Sequence, residues 1–361
     1  MKTNLFTFLC LSLWLTCLVS CKKEKFPVPV VDNEGAVKSD ISKITIPDYT
    51  ILTIAGGPAG FKNGVGKEAA FNSAQGICLK KSGLLYVADY LNNAIRKVEV
   101  KALNGVKEQY TATVSTLNTP AGPNGLKLTF PIHAGVSNDG TINVEFMPNP
   151  NFAGAVLGRI YKPDGSIYTV QISRGGMTGM SGDPSGDFFW FCSLQGVGKF
   201  WSDHIQLPNI QLPADSLKQY YGNHYLYNTA SPTIIYAAPN GNKYMASYSQ
   251  LYKLTQSGVF TKIKPIAEYP YEPYDGMSDL VSTDDGDTLY FIKNGAILSL
   301  KNGKISTLYY PNGTNSADGL PAFINATGLA IDDKQHLLYF TDNYEFSSTI
   351  KVLTLPGYKA H

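Results

Sequence analysis

Short apolar runs, each cut off by Gly, Asn, Asp or Ser, recur along this chain from Tyr49 onward. The densest group spans Tyr49 to Val100. It opens with Tyr49-Thr50-Ile51-Leu52-Thr53-Ile54, stops at Ala55-Gly56-Gly57, and crosses a glycine-rich loop holding Asn63-Gly64 and Gly66. Three further runs follow: Ile77-Cys78-Leu79, Leu84 to Asp89 and Ala94 to Val98, with the turn Lys80-Lys81-Ser82-Gly83 after the first. Apolar runs of this length between turn residues predict a small antiparallel meander.

The same wording returns near the C-terminus. Asp318-Gly319, Ala322-Phe323, Asn325 and Gly328 repeat the approach to the first group, and Leu337 to Asp342 aligns with Leu84 to Asp89. Ile350-Lys351-Val352 then echoes Ile95-Arg96-Lys97. Four looser copies lie between, recognisable by strand and turn rhythm. They begin near Ile132, Gly182, Ile234 and Asp275, with Asn-Gly or Asp-Gly pairs such as Asn240-Gly241 and Asp164-Gly165 at hairpin tips. Such pairs suit two-residue hairpin turns, whose central residues need positive φ.

A period of this kind is the mark of a repeat architecture. The residues Asn63-Gly64, Ala70-Phe71-x-Ser73-x-x-Gly76, Tyr86-Val87-Ala88-Asp89 and Asn92 to Lys97 resemble an NHL repeat. That resemblance implies an all-β, six-bladed β-propeller of four-stranded antiparallel blades. The last unit shows three strands, while the first is preceded by the spare run Tyr49 to Ile54. Pairing that run with Ile350 to Leu355 is expected to close the ring and leave no sheet edge at the seam.

The first 43 residues stand outside this rhythm. Lys2 precedes an apolar stretch from Leu5 to Val19, about fifteen residues where a spanning helix needs roughly 20. Residues 1–20 read as a signal peptide, and Leu18-Val19-Ser20-Cys21 resembles a bacterial lipobox, which makes Cys21 the lipidation site. Residues 21–43, with Lys22 to Lys25, Pro27 and Pro29, read as a flexible tether, and residues 44–356 as the propeller. The expected place is the outer membrane, facing the periplasm or the outside, with the lipid as the membrane contact. Beyond the leader only Cys78 and Cys192 remain, and both read as buried, unpaired thiols.

Charge narrows the function classes. Thirty basic residues stand against 28 acidic, without a basic stripe, so nucleic acid is not an expected partner. No Gly-x-Ser-x-Gly elbow, Cys-x-x-Cys pair or Walker loop is present. Two classes remain. One is a binding module for carbohydrate or a protein partner, expected as a monomer without cofactor. The other is a lyase- or lactonase-type propeller enzyme with a metal in the central channel. The amidating lyases of the NHL group carry histidines across their blades, and the five here do not occupy matching repeat positions. His133, at the start of an inner strand, is the weak metal candidate; no catalytic residue is assigned. Asp89 and Asp342 end matching strands, which predicts a turn or cap role in the blade.

The 23 tyrosines favour the binding class. Tyr220, Tyr221, Tyr225 and Tyr227 fall in one blade-to-blade loop, Tyr269, Tyr271, Tyr274 and Asp275 in the next. Tyr90, Asn92, Asn93, Tyr344 and Phe346 fall between second and third strands, which open on the same face. Flat rings bearing a hydroxyl suit sugar rings or a partner's side chains. Tyr248 and Asn223 are expected to add hydrogen bonds there, with Asn343 and Arg96 extending the site unless Arg96 braces its own blade. The opposite turns at Asn240-Gly241 and Asp284-Asp285 are expected to tolerate change.

Overall fold

The computed structural model describes residues 48–102, 110–122, 125–148, 155–174, 179–186, 188–193, 196–201, 205–210, 234–247, 250–263, 277–309, 325–344 and 346–358. These residues form six small antiparallel sheets, and their only helical turns are short 3-10 segments. The protein is an all-β, six-bladed propeller.

Each blade starts with an inner strand. Those strands are Ala74–Lys81 in blade one, Pro131–Val136 in two, Met180–Gly182 in three, Ile234–Ala237 in four, Met277–Ser282 in five and Ala326–Asp332 in six. Inner strands of consecutive blades touch in order around the ring, blade six against blade one included. Hydrophobic clusters fill the gaps between blades. Ile77, Leu85, Val98, Tyr339 and Val352 share one cluster between blades six and one, for example.

The seam forms as the repeat pattern requires. Ile51–Pro58 pairs antiparallel with Ser347–Thr354, in register Ile51↔Leu353 and Leu52↔Val352, as the outer strand of blade six. The amide of Tyr49 donates to the Thr354 carbonyl at 2.7 Å. Alternation along this strand places Ile51 in the core between blades five and six, and Leu52 and Ile54 in the core between six and one. One strand thus plugs two gaps, and each buried aliphatic side chain is worth about 1.5–3 kcal/mol.

Fourth strands are where apolar rhythm under-reads the blade. Tyr110–Thr116 completes blade one, beyond the Val100 boundary, and Lys304–Tyr309 completes blade five. Only Ala112 and Val114 are buried in the first, and no residue is buried in the second. Outer strands face solvent, so they carry little hydrophobic signal. Blade one also gains a two-residue fifth strand, Gly64–Val65, at its outer edge.

Candidate functional site

The strand registers align one position across the blades. In blade one Ile77 opposes Val87; in blade two Ala134 opposes Val144; in blade five Leu280 opposes Phe291; in blade six Leu329 opposes Phe340. The residue just before each of these inner-strand partners is Gly76, His133, Asp279 and Gly328. The glycines permit close approach of neighbouring blades. A Cβ on Gly76 would lie 2.8 Å from the His133 Cα, and one on Gly328 would lie 2.6 Å from the Gln75 carbonyl. Where the position is not glycine, it carries a titratable side chain that lines the channel.

That channel is a cavity of about 530 Å³ walled by the inner strands of all six blades. It runs from His133 and Asp279 toward the first-hairpin turns, where Lys81, Pro184, Pro239, Asp284 and Lys334 border it. Cys78 and Tyr236 line its length. His133 Nδ1 lies 2.9 Å from Glu145 Oε2, the imidazole partly exposed and the carboxylate fully buried. Burial alone would lower the His133 pKa. The hydrogen bond and charge of Glu145, with the charge of Asp279, outweigh it and raise the value. The shift favours the protonated ring over that of a free histidine, and a protonated imidazole is a donor on both nitrogens.

Asp279 carries the opposite sign from the other side of the ring. Its Oδ2 accepts from the Leu329 amide at 2.7 Å and its Oδ1 from its neighbour Leu280, so it also ties blade five to six. Burial pushes its pKa up to about 6, against the pull of His133 and those two amides. Tyr236 is raised as well, by burial first and then by Asp284, Asp333 and Asp279. The Cys78 thiol, half-buried on the channel wall rather than fully enclosed, is pushed up to about 12 by burial and is inert as a nucleophile at neutral pH. Cys192 is fully buried, and neither cysteine is bridged.

Among the described residues no group of three or more His, Cys, Asp or Glu is placed to hold a metal. His133 stands with a buried glutamate, Glu145, behind it.

The residues singled out on the aromatic face divide. Tyr220, Tyr221, Tyr225, Tyr227, Tyr248, Tyr269, Tyr271, Tyr274, Asp275 and Asn223 lie outside the described residues, as does Cys21. Tyr90 packs on Phe130 with ring centroids 5.3 Å apart. Asn92 donates to the Gly60 carbonyl and to Asp89, both at 2.8 Å, and Asn93 accepts from the Phe130 amide. Asn343 donates across the seam to the Ala74 carbonyl. Tyr344 ends the second strand of blade six, and Phe346 is exposed beside it. Arg96 braces its own blade. Its Nη1 meets Asp89 at 2.6 Å, and its Nη2 donates to the Lys62 carbonyl and Asn63. Asp89 in turn accepts from the Asn72 amide, as Asp342 accepts from Asn325, each at 2.7 Å, so the repeated aspartates cap the blade-entry loops.

Glu145, Asp279 and Tyr236 were not singled out from sequence. The signal was the glycine of Gly76 and Gly328: aligning blades two and five on it exposes a histidine and an aspartate where the best-formed repeats have no side chain.

These features define a six-bladed propeller with NHL-type blades and a polar central channel. The comparisons agree with that class. The chain is similar to NHL repeat-containing protein 2 of Gallus gallus, 24% identical over 304 residues covering 83% of this chain. It spans only 34% of that relative's length. No protein-family model matches the chain. A crystal structure of a protein of unknown function from Bacteroides thetaiotaomicron superposes with a TM-score of 0.52 at 15% identity, covering 84% of this chain and 75% of that one. A regucalcin, a calcium-binding protein of Agrobacterium tumefaciens, gives 0.45 at 12% identity over 85% of this chain and 98% of its own. The likeness to the Bacteroides thetaiotaomicron structure bears on fold alone.

Proposed function

We propose that this propeller is a binding module of the cell envelope, tethered through a lipid on Cys21, which takes a small polar ligand into its central channel. The observation that carries the reading is the 530 Å³ cavity with His133, Asp279 and Tyr236 on its walls. Concave sites with a few convergent polar groups and perturbed pKa values are where proteins hold small ligands. His133 with Glu145 behind it supplies a donor, and Asp279 on the facing side an acceptor. An inert Cys78 thiol adds no covalent chemistry.

Cys78 makes the reading testable. It lines the cavity, while Cys192 is sealed in the core. A panel of monosaccharides, amino acids, carboxylates and amines is tested at pH 7 for protection of Cys78 against prolonged exposure to a methanethiosulfonate, read by peptide mass. At least one class is expected to slow labelling of Cys78. If none does, the channel is not the binding site. Anchoring is tested separately: Cys21→Ser is expected to move the protein from the membrane fraction to the soluble one, and continued sedimentation with membranes would reject the tether.

A further inference from the structure

The two sides of the channel differ in charge. Blades four to six contribute Tyr236, Asp279, Asp284 and Asp333 to one wall. These groups feel one another. Asp284 is raised by burial and then by the charge of Asp333, and Tyr236 is raised by three carboxylates from the same wall, Asp279 among them. The other side holds His133, whose charge is answered by Glu145 at 2.9 Å. Lys80, at the rim, leans over the turn of blade two, with its Nζ 3.1 Å from where a Gly140 Cβ would stand. Lys334, exposed on its own turn, acts on Asp284 through its charge.

A second observation points the same way. Asp332 borders the cavity and is 4% exposed, and its Oδ2 has no hydrogen-bond partner among the described residues. An unpaired carboxylate oxygen held out of water costs free energy that a donor would recover. Among the described residues no three of these carboxylates converge as a metal-ligand group would. A string of acceptors beside a phenol ring instead matches an ammonium group on a short carbon chain, whose N–H donors diverge and whose charge is favoured by an aromatic face.

We propose that the wall formed by Tyr236, Asp279, Asp284, Asp332 and Asp333 binds the primary ammonium group of a small organic amine. This rests on the channel being the binding site and names the class of ligand. The full chain is titrated with 1,4-diaminobutane, with butan-1-ol and butyrate as neutral and anionic controls of similar length, by calorimetry or saturation-transfer NMR. The diamine is expected to bind and the controls not to. Asp284→Asn should weaken binding about tenfold, the value of a partly shielded charge pair. Asp285→Asn removes the same charge one residue away, from a side chain turned to Thr283 and Asp287 outside the cavity, and should leave affinity unchanged. Equal loss in both variants would reduce the effect to overall charge and overturn the proposal. So would absence of diamine binding. If another solute protects Cys78 while the diamine neither binds nor protects, the channel reading stands and the amine assignment falls. A thermal melt of each variant confirms that the ring is intact.

Discussion

The first three strands of blades one and two align Ile77, Val87 and Arg96 with Ala134, Val144 and Arg159, yet the two blades spend their buried charges differently. In blade one, Arg96 opposes Val87, and Asp89 lies two residues on; guanidinium and carboxylate meet at 2.6 Å, both fully buried. Phe61 and Phe71 flank the guanidinium, each ring centroid 5.0 Å away. In blade two Arg159 opposes Val144, and the residue two further on is Phe146. Arg159 is as buried as Arg96, yet it sits over the Phe146 ring at 5.0 Å, with Nε on Thr169. Its Nη1 and Nη2 make no hydrogen bond of normal geometry among the described residues. Blade two has its acid one residue earlier, at Glu145 where blade one has Ala88, and successive strand residues face opposite sides. The carboxylate that braces blade one from outside therefore serves His133 and the channel in blade two. A propeller tolerates such a trade because each blade rests on its neighbours, so one blade's brace can be given up to build a site.

The seam beside blade one carries the largest expected effect. Removing residues through Ile54 takes away the first half of the outer strand of blade six and with it the buried Ile51, Leu52 and Ile54, for a loss of about 5–8 kcal/mol. Removing residues through Lys43 leaves that strand whole and should leave the melting temperature unchanged. Equal melting of the two truncations would show that the ring does not depend on its latch.

The brace itself comes next. Arg96→Met leaves Asp89 buried without its cation and should cost about 3–5 kcal/mol in denaturant unfolding. Arg159→Met removes a buried charge that has no carboxylate partner among the described residues, so stability should stay level or rise by up to about 1–2 kcal/mol. If the two substitutions cost the same, the difference between the blades is one of sequence and not of energy.

How much of this was legible beforehand follows the same divide. Blades one and six announce themselves because Asp89 and Asp342, with Arg96 and Lys351, repeat a buried pair that needs those residue types; Lys351 meets Asp342 at 2.8 Å. The closing strand was legible because its apolar run had no partner in its own unit. Outer strands such as Lys304–Tyr309 were not, since solvent-facing strands need no hydrophobic rhythm. The channel was harder still. His133 was visible as a histidine on an inner strand, but Asp279 and Glu145 sit 146 and 12 residues from it, 279 − 133 and 145 − 133. Only ring closure and strand pairing bring the three together. The reading of the tyrosine loops rested on their place in the repeat frame, between blades, and Tyr220 to Tyr227 and Tyr269 to Asp275 lie outside the described residues.

The smallest expected effect distinguishes the blades by pH. Gly76 and Ala88 give blade one nothing to titrate at the positions where blade two holds His133 and Glu145. His133 has a raised pKa in the folded state, owing to Glu145 and Asp279. Its contribution to stability is therefore complete below the ordinary histidine value of 6.5 and is lost as pH rises through the raised one. Asp279, pushed up to about 6, adds in the same direction: its contribution is present below about 3.8 and lost as pH climbs past 6. Glu145→Gln keeps the shape and a hydrogen-bond acceptor for the imidazole but removes the charge that raises His133. Wild type should then exceed the variant in melting temperature at pH 6, with the gap narrowing toward pH 8.5, and the Ala88→Gly change in blade one should show no such slope. A gap that widens with pH would mean that His133 is neutral in the folded protein, and the donor assigned to the channel wall would have to be withdrawn.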